Sequence, residues 1–114
     1  MGIEQLLGAF EEHVLLSVAR HGDEGYGMLV RRDIAARTGR DVSIGAVYAT
    51  LTRLEKKGFV ASRVEPGSPE RGGRIQRFFQ LSPVGAAALR TSLRQHRRMW
   101  DGLDPDTLLG EGGP

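Results

Sequence analysis

One stretch, residues 43–58, constrains the fold of this chain more than any other, because both ends of a helix are marked in it. Ser43 can accept a hydrogen bond from a free N–H of the first turn, and Gly58 suits the left-handed conformation in which helices often end. Between them, apolar residues recur at steps of three and four, namely Ile44, Val47, Leu51 and Leu54. The stretch therefore predicts a helix with one buried stripe and one free face.

The free face of this helix carries small side chains in place of the long Glu and Lys side chains of an ordinary surface helix. Near its N-terminal end this face carries Gly45, Ala46 and Ala49, with Tyr48, Thr50, Thr52 and Arg53 beside them. A helix that enters a DNA major groove needs a slim leading end, polar groups for base edges, and cationic or phenolic groups for phosphates. We therefore interpret it as a DNA-reading helix. A buried helix packed on two sides is the alternative.

The length and composition are those of one soluble globular domain, with 114 residues of which 39% are hydrophobic and 26% charged. There is no cysteine, which excludes disulfides and cysteine-ligated zinc and suits a reducing compartment. The first residues have neither a basic region nor a long apolar run, so we expect no signal peptide and no membrane span. These features predict a cytoplasmic protein.

The net charge of +2 conceals a segregation of charge along the chain. Residues 1–24 carry one Arg and five acidic residues, residues 53–98 carry eleven Lys or Arg and three Glu, and residues 101–114 carry four acidic residues. Clustered cations raise the local potential that attracts phosphate. The pattern therefore favours a polyanionic partner such as double-stranded DNA.

Two further helices are predicted before residue 43. Residues 3–20 have apolar side chains over more than half of the helix circumference, which indicates burial on two sides. Residues 26–38 form the next helix, which ends at Gly39. Because only three residues separate Gly39 from Ser43, the two helices predict a helix-turn-helix whose second helix is the reading element.

The hydrophobic period changes after residue 58. Residues 59–64 and 75–81 are rich in β-forming side chains, and the segment between them contains two Pro and three Gly. This pattern predicts a two-stranded hairpin with a long basic tip, which next to a helix-turn-helix is a wing. We expect Arg74 and Arg77 to contact phosphate, whereas Arg71 fits a solvated loop equally well.

The last predicted helix opens at Ser82-Pro83, a capping serine followed by proline in the first turn. Ala86, Leu89, Leu93, His96 and Trp100 follow at steps of three and four. Such a narrow seam predicts a partner helix, most simply the same helix of a second copy. The predicted dimer contacts are Leu6, Phe10, Leu89, Leu93, His96 and Trp100. Residues 101–114 are acidic and rich in Gly and Pro, which predicts a flexible tail.

The sequence contains no recognisable catalytic or metal-binding constellation. Its three His, at positions 13, 21 and 96, lie far apart, and there is neither an HExxH spacing nor a Gly-rich loop between a strand and a helix. We therefore expect no enzymatic activity, no cofactor and no metal.

These motifs together resemble the PadR family of transcriptional regulators, over about residues 15–89. The resemblance rests on SIGAVYATLTRLEKKGFV, on ERGGRIQRFFQLSPVG in the hairpin and on DEGYGMLVRRDIAARTG before them. It implies a winged helix-turn-helix, a homodimer held by the first and last helices, and a palindromic operator, usually bound by a repressor that a small ligand releases. The residue-by-residue match implies that Tyr48 and Arg53 contact phosphate and that Arg74 and Arg77 serve the wing. The residues that it implies at the major groove are Ser43, Gly45, Ala46, Tyr48, Ala49, Thr50 and Arg53. One departure is the stretch 75–79, IQRFF, where many relatives have a basic, tyrosine-rich strand.

The predicted fold is therefore mainly α with a small β-hairpin (α+β). It comprises a winged helix-turn-helix in residues 1–81, a dimerisation helix in residues 82–100 and a tail in residues 101–114. Trp100 has two interpretations: it packs the dimer, or with Phe10 and Met99 it lines a cavity for a planar, apolar effector, as the shorter branch of the family implies. A winged-helix module that binds protein in place of DNA is the alternative function.

Overall fold

The computed structural model of the chain describes residues 7–108. The elements in chain order are α1 (Ala9–Arg20), α2 (Gly27–Thr38), α3 (Ile44–Lys56), β1 (Val60–Glu65), β2 (Gln76–Leu81) and α4 (Pro83–Trp100), with a 3-10 turn (Pro69–Arg71) between the strands. The α+β fold class is confirmed. Leu6 and the ends of the chain lie outside the described residues. No helix within residues 7–108 is long and apolar enough to cross a membrane.

The core lies where the first three helices meet the hairpin. The predicted apolar stripe of α3 is confirmed, since Val47, Leu51 and Leu54 are fully buried. The other core side chains are Val14, Leu15, Val18, Val30, Ile34, Phe59, Val60, Phe79 and Leu89. Burial of the α3 stripe on this core fixes which face of the helix is left outside.

The helix ends follow the local chemistry of the sequence. The Ser43 hydroxyl accepts from the N–H of Ala46 at 3.0 Å, and the Ser82 hydroxyl accepts from the N–H of Gly85 at 2.9 Å. Gly39 and Gly58 adopt φ values of 75° and 80°, which favour glycine. The predicted ends of the helix-turn-helix are thus confirmed. The helix predicted over residues 3–20 is an exception. In the structure α1 begins at Ala9, and residues 7 and 8 are not helical.

A backbone hydrogen bond joins the hairpin to the segment that precedes α2. Its strands are antiparallel, in a register that pairs Val60 with Leu81 and Glu65 with Gln76. The N–H of Phe79 donates to the carbonyl of Gly25 at 2.7 Å, and this bridge adds the segment before α2 to the edge of the hairpin. The wing is therefore held beside the N-terminus of α2.

The N-terminal half of α4 packs on its own domain. A Cβ at Gly85 would lie 2.0 Å from the Phe59 carbonyl oxygen, so the helix touches the backbone that leads into β1. Leu89 is only 6% exposed and belongs to the core of its own chain, which leaves it unavailable as the predicted dimer contact. The reason is that α1 lies along this side of α4, where Ser92 and His96 both contact the Glu12 carboxylate.

Candidate nucleic-acid interface

The turn between α2 and α3 is held by a side chain of α2. Nε of Arg31 donates to the Val42 carbonyl at 2.7 Å, and its guanidinium lies 3.3 Å from the Asp41 carboxylate. From helical spacing alone, Arg31 would be expected on the outer face of α2. Its two contacts instead tie the turn to α2, so the start of α3 is oriented by more than the core beneath it.

The outer face of α3 is a stripe of small and polar side chains. Residues at steps of three and four lie along its centre, namely Gly45, Ala49, Thr52 and Lys56, and all four are exposed. Ser43, Ala46, Tyr48 and Arg53 flank this stripe and are exposed as well. On the outer face of the leading turn, Gly45 and Ala46 present no more than a methyl group, which lets a neighbouring surface approach the helix backbone.

Thr50 does not belong to this outer face. Its side chain is 3% exposed, and its hydroxyl accepts from the Arg53 guanidinium at 3.2 Å. The physical reason is helical spacing, because Thr50 follows Val47 by three residues and precedes Leu54 by four. Thr52, by contrast, presents its hydroxyl on the outer face. Lys56 was not predicted as a member of this face, although it follows Thr52 by one helical step of four residues.

Tyr48 leans across the N-terminus of α2. A Cβ placed on Gly27 would lie 2.4 Å from the Tyr48 Cζ and 2.7 Å from its hydroxyl oxygen. The ring is 36% exposed, so it packs against a glycine on one side and faces solvent on the other. The first turn of α2 has free backbone N–H groups. The Tyr48 hydroxyl is thus set beside a helix end that favours anions.

A buried carboxylate of α1 holds the C-terminal turn of α3. Glu11 lies 3.0 Å from Nζ of Lys57 and 3.6 Å from Nε of Arg53. Burial raises the pKa of the Glu11 carboxyl, but the Gly8 N–H and these two cations outweigh it, so the pKa lies below its ordinary value. Arg53 is 55% exposed and is the more distant partner, which leaves its guanidinium able to reach outward.

The arginines of the wing differ in the hydrogen bonds and ion pairs that they make within the domain. Arg74 is exposed, and within residues 7–108 its guanidinium has neither an ion pair nor a hydrogen bond. Arg77 donates to the Ser62 hydroxyl at 2.9 Å and lies 4.0 Å from Glu55, so part of its charge is used inside the domain. The guanidinium of Arg71 donates to the carbonyls of Pro66 and Arg74 and closes the wing tip. Arg71 is therefore a structural residue of the loop.

An arginine and a phenylalanine of the wing form a contact that was not predicted from the sequence. The Arg63 guanidinium lies 4.7 Å from the centre of the Phe78 ring, and Phe78 in turn meets Tyr26 edge to face at 6.0 Å. Arg63 also donates to the carbonyl of Asp23. The phenylalanines of the IQRFF stretch thus serve packing, since Phe79 is buried and Phe78 supports a cation on the edge of the wing.

The positive charge of residues 53–98 is divided between two surfaces. Arg90, Arg94, Arg97 and Arg98 are exposed on α4, with no ion pair or hydrogen bond to any residue between 7 and 108. The Ser82 hydroxyl donates to the Gly58 carbonyl, so α4 starts beyond the C-terminal end of α3. The α4 arginines therefore lie on a different helix from the one whose outer face carries Gly45, Ala49 and Thr52.

The histidines do not meet one another in the structure. His21 Nε2 lies 2.7 Å from the Asp33 carboxylate, which also accepts from the Ser17 hydroxyl at 2.6 Å. Because Ser17 donates to the carboxylate and not to the imidazole, the three do not form a nucleophile and base pair. His96 pairs with Glu12 at 2.9 Å. His13 lies on α1, and its buried Nδ1 has no hydrogen-bond partner among residues 7–108.

Known proteins provide an independent comparison. The model of the transcriptional regulator PadR-like family matches residues 15–91. A PadR-like regulator from Bacillus cereus is 21% identical with a TM-score of 0.64, over 81% of this chain and 84% of its own. A PadR family regulator from Eggerthella lenta is 24% identical with a TM-score of 0.64, over 78% and 75%. No curated protein sequence matches the chain.

A third solved structure holds nucleic acid. PadR of Bacillus subtilis, in complex with operator DNA, is 17% identical with a TM-score of 0.64, over 75% of this chain and 48% of its own. At such identities the structures establish the fold, and they confirm the winged helix-turn-helix. The family match spans the second half of α1 through the first half of α4. The chain belongs to the transcriptional regulator PadR-like family.

Proposed function

We propose that the protein is a homodimeric, sequence-specific DNA-binding repressor that acts in the cytoplasm. The observation that carries the proposal is the outer stripe of α3, in which small side chains leave the helix backbone approachable beside two exposed hydroxyls. Such a face suits the major groove, whose edges carry the base-specific donors and acceptors. The DNA complex of the Bacillus subtilis protein of the same fold supports this assignment.

The roles of the side chains follow from their positions. Gly45, Ala46 and Ala49 allow the leading turn of α3 to approach, and the hydroxyls of Ser43 and Thr52 reach base edges or phosphates. The phosphate contacts are assigned to Tyr48, Arg53, Lys56, Arg74 and Arg77. Arg74 is the strongest wing candidate, because it gives up no contact inside the domain when it binds. These contacts position the protein, and the groove contacts choose the sequence.

A second copy of the chain is the proposed partner of the C-terminal half of α4. Leu93 and Trp100 are 39% and 45% exposed along one side of this helix, beyond the part that its own domain covers. A two-fold dimer buries the same strip on both copies. It would place two α3 helices on half-sites roughly 34–36 Å apart, which is the geometry of a palindromic operator.

The effector that releases the repressor is assigned to the same dimer seam. Met99 and Trp100 are exposed at the end of α4, while Phe10 lies half-buried on α1 with the Arg40 guanidinium 5.4 Å above its ring. A planar, apolar molecule that stacks on Trp100 and its symmetry mate would compete with the packing of the seam. This part of the proposal rests on the exposure of Trp100 and on the family resemblance.

The test compares an alanine-to-glutamate substitution on α3 with the same substitution on α4. A duplex selected from random sequence by the unmutated protein is titrated by fluorescence anisotropy, at several salt concentrations. We expect Ala49→Glu to abolish binding, since it adds bulk and negative charge to the groove face, and Ala87→Glu, on an exposed position of α4, to retain it. Affinity should also fall steeply with salt, because counterions are released.

Two results would contradict the proposal. Unchanged affinity of the Ala49→Glu variant would remove α3 from the interface. Salt-insensitive pairing with a protein, without affinity for duplex DNA, would favour the alternative function of a winged-helix module that binds protein.

A further inference from the structure

The side-chain amines of this chain are concentrated at the C-terminal end of α3. Of the 16 basic side chains, 14 belong to Arg and two belong to Lys, at positions 56 and 57. A guanidinium stays protonated in proteins, whereas a lysine amine that has lost its proton can attack an acyl group. Stable acylation of a side-chain nitrogen is therefore restricted to these two adjacent residues.

Lys57 is held inside the domain. Its Nζ lies 3.0 Å from the Glu11 carboxylate and 6.0 Å from the centre of the Phe59 ring. The Glu11 side chain is 9% exposed and the Lys57 side chain 32% exposed, so α1 covers much of this contact. The Lys57 amine has to leave the carboxylate before it can attack an acyl group, and the contact therefore protects it.

Lys56 has no such protection. It is exposed, and its amine has neither an ion pair nor a hydrogen bond to any residue from 7 to 108. Lys57 follows α3 in a helical conformation, and successive helical residues point about 100° apart, so the two amines leave the helix in different directions. Lys56 shares its direction with Thr52, on the outer stripe of α3. The accessible amine thus lies on the face that is assigned to DNA.

We propose that an acyl phosphate acylates Lys56 and thereby weakens the binding of the protein to DNA. The unprotonated Nζ attacks the acyl carbonyl carbon, a C–N bond forms and the C–O bond to the phosphate group breaks. Inorganic phosphate leaves with the bonding electron pair and takes up the proton that the nitrogen releases. The product is a neutral amide, so each copy loses one cationic contact to DNA. This inference rests on the phosphate contact that the proposed function assigns to Lys56.

The selectivity is tested first, on the full chain with acetyl phosphate and without DNA. Cleavage after arginine places both lysines in one peptide, residues 54–63, so fragment masses compare the two sites within the same molecule. We expect Lys56 to be acetylated at least about threefold faster than Lys57, which is the protection that a partly exposed ion pair can provide. Glu11→Gln should raise the rate at Lys57 toward that at Lys56, and circular dichroism confirms that this variant is folded.

The effect on DNA binding is tested next, with the duplex selected by the unmutated protein. Bound duplex should slow acetylation of Lys56 and leave that of Lys57 unchanged. Acetylated protein should bind about tenfold more weakly, and the slope of log K against log salt should fall by about one for each modified copy. The Lys56→Arg variant should have the same affinity before and after treatment, because its guanidinium is not acylated. The matched Lys57→Arg variant should lose affinity on treatment as the unmutated protein does.

Three results would overturn the inference. Equal rates at the two lysines would show that the Glu11 contact does not protect Lys57. Unchanged DNA affinity after complete acetylation of Lys56 would separate the modification from DNA binding. An equal loss of affinity in treated Lys56→Arg would assign the effect to another amine. Absence of DNA binding before treatment is a different failure, which contradicts the proposed function, and the acetylation rates are measured without DNA.

Discussion

Replacing Gly27 of α2 by alanine should weaken DNA binding, because the added Cβ would displace Tyr48 of α3. The added Cβ would lie 2.4 Å from Tyr48 Cζ, where nonbonded carbons normally stay about 3.5 Å apart. The ring must therefore move by about 1 Å or more at its hydroxyl end. Alanine itself is tolerated, since Gly27 opens α2 and does not have a positive φ. The thermal midpoint should consequently change little.

The magnitude follows from the hydrogen bond that the displaced hydroxyl can no longer make. A hydrogen bond to a charged group contributes about 1.5–3 kcal/mol, which corresponds to about 10- to 100-fold in Kd for each half-site. Because phosphate carries no sequence information, the selected duplex and an unrelated duplex should lose affinity together. Tyr48→Phe should weaken binding similarly, since it removes the same hydroxyl.

Anisotropy titrations of the unmutated protein, the two single variants, the double variant and one control variant provide the test. If Gly27→Ala acts through the Tyr48 hydroxyl, adding it to Tyr48→Phe should change the Kd less than about twofold, which is the non-additivity expected of contacting residues. Gly8→Ala is the control, because its added Cβ meets no atom within 4 Å. Full additivity of the two changes, or unchanged affinity of Gly27→Ala, would refute the steric link. A loss of sequence preference alone would refute the phosphate assignment.

Three further outcomes are expected. Gly85→Ala should lower the unfolding free energy by about 1–3 kcal/mol in urea titrations, because its Cβ would meet the Phe59 carbonyl oxygen at 2.0 Å. Acid should destabilise the fold: the pKa values of Glu11 and Asp33 are lowered on folding, so their contribution is full above about pH 4.5 and disappears as the pH falls through the lowered values. Trp100→Ala should give a weaker dimer in sedimentation if the indole packs the seam, and an intact dimer that no longer binds planar dyes if it is an effector platform.

Local chemistry made much of the fold predictable. Hydrogen bonds and sterics within a few residues determine the caps at Ser43 and Ser82 and the left-handed glycines at 39 and 58. These features can therefore be predicted from the local sequence. The stripe of α3 is equally local, because helical spacing alone determines which side chains share a face. These features placed the helix-turn-helix and the wing before any tertiary contact was known.

Tertiary contacts explain why one sequence prediction was wrong and why other contacts were not predicted. Leu89 fits a dimer seam by spacing, yet it is buried because α1 packs along that side of α4. The contact between Gly27 and Tyr48 could not be predicted from the sequence, because 21 positions separate the two residues. The wide apolar surface of α1 was readable, but the carboxylates within it were not identified as anchors, because their partners come from α3 and α4.

Those carboxylates connect the two surfaces that the proposed function requires. Glu11 and Glu12 are adjacent on α1, and successive helical residues point about 100° apart. Glu11 therefore holds Lys57 and Arg53 at the end of α3, while Glu12 holds Ser92 and His96 on α4. Both carboxylates are largely buried, but Lys57, Arg53 and His96 are 32%, 55% and 60% exposed, so water screens each anchor in part. One turn of α1 thus contacts both the C-terminal end of α3 and the helix that carries the proposed dimer seam, and we expect the distance between the two proposed reading helices of a dimer to depend on that turn.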